Sequence, residues 1–400
     1  MNASNSFVAR SLTKIFTNLH RFFRHRLAFA TGLTFAADSL MFGSWVAHIP
    51  HVKTELGLND AQLGLALFGM PIGLLAMNPL SPGIIARFGL ARTTVAGTLA
   101  MAVAFALPVW MPGRWALMAA LAVVGAAVAL VNVAMNTCAT NIERADSVYI
   151  MSTCHGMWSL GGMIGSGTAA ALIAAGMAPT IHLAVLAGAV MTATLVWLRP
   201  VLATVPEDEQ SGEDSGSRFT LPNRDLLLMI FIGLAVSLSE GVAFDWSGVY
   251  LRDVLGAPEQ IAALGFTCFS LTMMAMRFTG DVLIPRFGER NLLLFTALCS
   301  AFALLIIIVA PTPFSGILGF LLLGAGVALG APILFNAAAR VPGLAPGAGL
   351  ATYATFSFVG FLAGPPVIGF IGEKFGLGIG FAMVAGLALA TLAAVRVVKL

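Results

Sequence analysis

The chain has 400 residues, of which 58% are hydrophobic and only 10% charged, and its formal net charge is +3. An ordinary soluble domain carries about 25% charged residues, so this composition excludes one and points to a chain threaded repeatedly through a bilayer. The small net charge, with no basic stripe of interleaved aromatics, excludes nucleic acid as a partner.

Residues 1–26 are basic and amphipathic and run into an apolar stretch without a small-residue cleavage site, which reads as a retained cytoplasmic tail. Each crossing needs ~20 apolar residues. Apolar runs and their breakers place helices at roughly 27–49, 60–84, 91–111, 115–141, 149–175 and 180–199. A second set follows at roughly 223–251, 259–284, 290–311, 314–340, 346–371 and 376–398. Between the sets lies the one long polar segment, Val201 to Asn223, read as a cytoplasmic linker over 201–222 that joins halves 27–200 and 223–400.

Lys and Arg stay on the cytoplasmic side of a bilayer. With the N-terminus inside, all of the 21 except Lys53, Arg114, Arg252 and Lys374 fall in tails, inner loops or inner helix ends, so both termini are expected in the cytoplasm. A shift of 199 residues, the distance from Arg87 to Arg286, superposes Arg87-Phe88-Gly89 on Arg286-Phe287-Gly288. It also superposes Leu56-Gly57 on Leu255-Gly256, Gly161 on Gly360 and Gly165 on Gly364. One unbroken offset marks a duplication. The expected fold is an all-α membrane protein of twelve transmembrane helices in two homologous six-helix bundles.

Twelve helices in two repeats with the termini inside, and an RFG element after helices two and eight, resemble the major facilitator superfamily. The loops SPGIIARFGLAR (Ser81 to Arg92) and GDVLIPRFGER (Gly280 to Arg290) carry that element but have Ala86 and Pro285 where the superfamily usually has an acid. Asp281 instead follows Arg277 by four residues, a spacing that lets them pair on one helix face. GSWVAHIPHVKTELGL, CHGMWSLGG, SEGVAFDWSGVYLR and GPPVIGF look like the YbjJ-like branch of bacterial inner-membrane transporters. The resemblance implies a multi-pass solute carrier of the inner membrane working by alternating access.

Carboxylates inside a span are costly and are paired, protonated or exposed to a water-filled path. Asp38, Glu240 and Asp245 are the Asp and Glu within the expected spans. Counting ~1.5 Å per residue, Asp38 lies about 16 Å in, Glu240 about 22 to 25 Å and Asp245 about 30 Å, at the outer interface. Asp38 is the first choice for a proton-carrying group and Glu240 the second; the plain alternative is that each bonds a neighbouring helix. His155, read as the one histidine well inside a span, either exchanges protons, its ordinary pKa being about 6.5, or bonds within the bundle.

Asn132 and Asn136 share a helix face and, with Trp158, Asn336 and Tyr353, are candidates to line a substrate cavity; the asparagines could equally bond across helices. Trp45, Trp246 and Asp245 read as interfacial anchors or an outer gate, and Arg87, Arg277, Asp281 and Arg286 as the inner gate. No Arg or Lys is placed near the midplane to clamp an anion.

Cys138, Cys154, Cys268 and Cys299 have no metal-binding spacing and read as small buried apolar residues. The chain shows no phosphate-binding loop, metal cluster or nucleophile triad, so neither an enzyme nor a cofactor is expected. The expected function is proton-coupled uptake of a small polar metabolite, sugar-like or an organic acid, by a monomer in the lipid bilayer. Proton-driven export is the alternative, disfavoured because GMWSLGGMIGSG lacks the proline of drug/proton antiporters.

Overall fold

Hydrocarbon offers no hydrogen bonds to a backbone, so a chain this apolar must satisfy its own amides, which a helix does within a single segment. In a computed structural model of the protein, residue 17 and residues 19–206, 221–342, 344 and 348–400 are described. Among them twelve helices are long and apolar enough to cross a membrane. They are α1 (Arg26–Glu55), α2 (Asp60–Met77), α3 (Leu90–Trp110), α4 (Arg114–Asp146), α5 (Met151–Ala174), α6 (Pro179–Leu202), α7 (Arg224–Val254), α8 (Glu259–Phe287), α9 (Glu289–Val309), α10 (Pro313–Ala339), α11 (Ala348–Phe375) and α12 (Leu377–Val397). No strand occurs among the described residues. The centre of the expected linker, residues 207–220, and most of the expected N-terminal tail lie outside them.

Two boundaries depart from the sequence reading. The first helix passes its expected end at 49: Pro50 sits inside α1, and the helix continues to Glu55 with Thr54 Oγ1 bonding back to the Pro50 carbonyl at 3.2 Å. The expected second helix is two: α2 ends at Met77, and a separate helix, Ser81–Phe88, starts with Pro82 in its first turn, where a missing N–H costs nothing. Local chemistry fixes other ends. Asn59 and Gln62 form a reciprocal cap at the start of α2. Glu143 at the end of α4 accepts the backbone N–H groups of Ile150 and Met151 at 2.6 and 2.8 Å, which anchors the start of α5. Gly89 and Gly288, the glycines of the two RFG elements, have φ of 86° and 76°, a conformation that explains why the repeat keeps glycine there.

The helices pack twice in the same pattern. In the first six, α1 packs on α5, α2 on α4, and α3 on α4 and α6; in the second, α7 packs on α11, α8 on α10, and α9 on α10 and α12. Two seams join the halves, α5 along α8 and α2 along α11, and these too are equivalent under exchange of the repeats. The first packing is close because α5 meets α1 through glycine: an added Cβ at Gly161 or Gly165 would strike the carbonyl oxygens of Ala36 or Leu40. That approach brings Trp158 of α5 to Asp38 of α1.

A substitution follows from this seam. Gly161→Val should lower the melting temperature of the detergent-purified protein or abolish its folded yield, because the clash is with backbone and overpacking costs about 1–3 kcal/mol or more. Gly188→Ala on α6, with nothing within 4 Å, is the control and should be neutral or slightly stabilising. Equal melting temperatures for the two variants would refute the close α1–α5 contact.

Candidate functional site

The two halves enclose a cavity of about 400 Å³. It reaches His155, four residues into α5, and Phe335, four before the end of α10, on the face that carries the chain termini. In the other direction it stops at Trp45, Leu67 and Asp245. Its walls are largely aromatic. Phe244 of α7 sits at the centre, with ring centroids 5.3 Å from Phe42, 6.1 Å from Trp158 and 6.2 Å from Phe361. The polar groups among them are few.

Asp38 is 3% exposed, and its Oδ2 accepts the indole N–H of Trp158 at 2.9 Å. Its Oδ1 is buried with no hydrogen-bond partner among the described residues. Glu240, on the equivalent helix of the second half, also lines the cavity, and its Oε1 has no hydrogen-bond partner and lies 3.9 Å from Nη2 of Arg277. Nη1 of Arg277 donates to Ser159 Oγ of α5 at 3.0 Å, and the guanidinium stands 5.8 Å over the Trp158 ring. Arg277 thus ties α8 to α5 and α7 in the middle of the protein. His155 lines the same cavity, its ring edge-on to Phe35 at 5.3 Å.

Several sequence expectations are corrected by this arrangement. Arg277, read as part of the inner gate, lines the cavity ten positions from the end of α8, so the cavity holds a cation where no Arg or Lys is expected from the sequence, and it stands against Glu240. Asp245 lines the cavity instead of an interface. α7 runs on to Val254 and contains a π-helical stretch, Val242–Trp246, which shifts the facing of every later residue. Trp246 is fully buried and Trp45 lines the cavity, so neither anchors in the interface. Of the asparagines, Asn132 lines the cavity, whereas Asn136 is not among the lining residues and donates to Asn132 Oδ1 at 3.2 Å. Asn336 is exposed away from the cavity, and Tyr353, 1% exposed, packs edge-on behind the lining residue Phe335. Arg87 and Arg286 lie exposed on the terminal face, each over its neighbouring Phe ring at 5.5 and 5.2 Å. The side chain of Asp281, and with it the expected pairing to Arg277, is outside what the structure describes. His155 is not alone in its depth class: His48 of α1 and His182 of α6 are both buried, with Nε2 and Nδ1 2.8 Å apart.

Sequence reasoning also missed a charged seal on the face opposite the termini. Lys53 at the end of α1 joins Asp60 of α2 at 2.5 Å and Asp253 of α7 at 2.7 Å. Arg252 of α7 bonds Asp253 at 2.7 Å, Glu259 of α8 at 3.5 Å and the carbonyl oxygen of Pro50 in α1. Glu373 of α11 accepts the backbone N–H of Asp60 at 3.1 Å. The signal was available, because the shift that superposes the RFG elements also places Lys53 and Asp60 on Arg252 and Glu259. Each half therefore contributes the same basic–acidic pair, and the cross-links between pairs close one mouth of the cavity while the other is open.

A family model described as Major Facilitator Superfamily matches residues 27–343. An uncharacterized MFS-type transporter of Yersinia pestis is 32% identical over 370 residues, 92% of this chain and 95% of the relative. Among solved structures, a mutant of the nucleoside transporter NupG superposes with a TM-score of 0.73 at 13% identity, over 94% of this chain and all of its own. A D-xylose-proton symporter gives 0.71 at 15% identity, over 93% and 98%. These two likenesses are in fold.

The seal is testable by accessibility. Lys53→Met leaves Asp60 and Asp253 without the cation between them, and an imbalance of about 1 kcal/mol shifts a two-state population about fivefold. In a background free of the native cysteines, Trp45→Cys should then react several times faster with a membrane-impermeant maleimide added from the face opposite the termini. An unchanged rate would show that the ion pairs do not hold that mouth closed.

Proposed function

The chain belongs to the Major Facilitator Superfamily, and on that premise we propose that it is a secondary active transporter of the bacterial inner membrane that carries a small polar metabolite inward together with protons. The observation that carries the reading is the pair of carboxylates, Asp38 and Glu240, set on equivalent helices of the two repeats, facing one cavity, each with a buried oxygen that accepts no hydrogen bond. An ionised carboxylate sealed inside a span costs several kcal/mol. A carrier that must close around such groups closes more readily when they take up protons, and this links solute movement to a proton gradient.

The chain's own residues divide the work. Trp158 holds Asp38 by one oxygen and leaves Oδ1 free to take a proton. Arg277 faces Glu240 and is released when Glu240 is neutral. Lys53, Arg252 and their acids hold the mouth opposite the termini shut while solute exchanges through the open one. Rocking the halves along the α5–α8 and α2–α11 seams would break these pairs and close the terminal mouth. Ion pairs of this partly exposed kind are individually weak, which suits a contact made and broken in every cycle.

The test uses proteoliposomes and a ligand found by thermal-shift screening of a metabolite panel, since a ligand stabilises the state that binds it. Asp38→Asn should abolish accumulation driven by a pH gradient while solute exchange at equal concentrations persists. Gradient-driven accumulation at the wild-type level in that variant would remove Asp38 from the coupling step. Drug sensitivity of a strain lacking the protein would favour export over uptake.

A further inference from the structure

The charges lining the cavity do not balance. Three carboxylates, Asp38, Glu240 and Asp245, face one guanidinium, Arg277. Arg277 stands against Glu240, and Trp158 holds one oxygen of Asp38. Asp245 has no hydrogen-bond or ion-pair partner among the described residues.

The placement of Asp245 is built by the backbone. Neighbouring residues of an α-helix diverge by about 100°, yet Phe244 and Asp245 both line the cavity, within the π-helical stretch Val242–Trp246. Such stretches are frequent at functional sites. The Asp245 carboxylate has room on its own helix: a Cβ added at Gly241 would still be 3.9 Å from its Oδ2. The cavity it lines is walled by the Phe244, Phe42, Trp158 and Phe361 rings. An unpaired carboxylate in an aromatic-walled cavity disfavours an anion. A neutral polyol would leave the negative charge in place. A protonated amine answers both features, through a charge-assisted hydrogen bond to the carboxylate and through cation–π attraction to the rings.

We propose, on the basis of the transport reading above, that the solute carries a protonated amine and that Asp245 is the residue that binds it, with Asp38 and Glu240 left to the protons. This narrows the expected class from sugar-like compounds and organic acids to amine-bearing metabolites.

The experiment compares three probes of one shape and different charge, phenethylamine, 2-phenylethanol and 3-phenylpropanoate, on purified full-length protein at neutral pH, by tryptophan quenching and thermal shift. Phenethylamine should bind about tenfold or more tighter than the other two. Asp245→Asn should remove that advantage, and Asp245→Glu, which keeps the charge, should retain it even if the first variant is poorly folded. No preference for the amine, no binding by any of the three, or a preference that survives Asp245→Asn in folded protein would each overturn the proposal. Amine binding without gradient-driven flux in proteoliposomes would instead sink the transport reading and leave this site standing, whereas flux with a neutral or anionic preference would do the reverse.

Discussion

Water is missing from the middle of a bilayer, so a polar group there must be answered by the protein itself or by whatever the protein admits. The hydrogen bond from Trp158 to Asp38 is the point where this constraint organises the molecule. It exists because Gly161 and Gly165 let α5 lie against the backbone of α1, and it turns the indole into part of the cavity wall. The same indole faces Arg277, which reaches Ser159 and Glu240 from the other half. A chain of contacts from α1 through α5 to α8 and α7 therefore runs along one seam between the halves, and it includes Asp38, Arg277 and Glu240.

The two mouths of the cavity are built from different physics. The closed one is held by Lys53, Asp60, Arg252, Asp253 and Glu259, side chains near water whose pairing is reversible at low cost. The interior is held by aromatic packing around Phe244 and by buried polar contacts that are costly to leave unmade. The aromatic packing joins the halves at the centre, through Phe42 against Phe244 and Phe266, while the weak pairs at the mouth can be exchanged as the halves move.

How much of this was legible depended on the kind of signal. Twelve spans, the duplication and the superfamily follow from hydropathy, charge placement and the RFG elements, which are local features of the chain. Asp38, Glu240, His155, Trp158 and Asn132 were singled out because polar residues stand out in apolar segments, and the structure brings them to one cavity. Depth was read less well. A constant rise per residue from an assumed starting point put Asp245 and Trp246 at an interface, although α7 is longer than the apolar run and changes its winding at Val242. Facing was read least well. Helices that are apolar all round give no stripe to show which side looks inward, so Tyr353 and Asn336 were placed in the cavity when the neighbouring Phe335 is the one that lines it.

The sequence by itself determined that the chain crosses a membrane twelve times in two related halves, because burying apolar length and retaining Lys and Arg on one side act on each segment independently of its neighbours. It took the folded arrangement to set Arg277 beside Glu240, to turn Asp245 inward, to bring His48 to His182 across 134 positions, and to close one mouth with Lys53 and Arg252. Those outcomes depend on how each helix is rotated and where it meets a partner far away in the chain. Rotation and partner are set by close packing of small residues and by mutual satisfaction of buried polar groups, and neither leaves a period in the sequence.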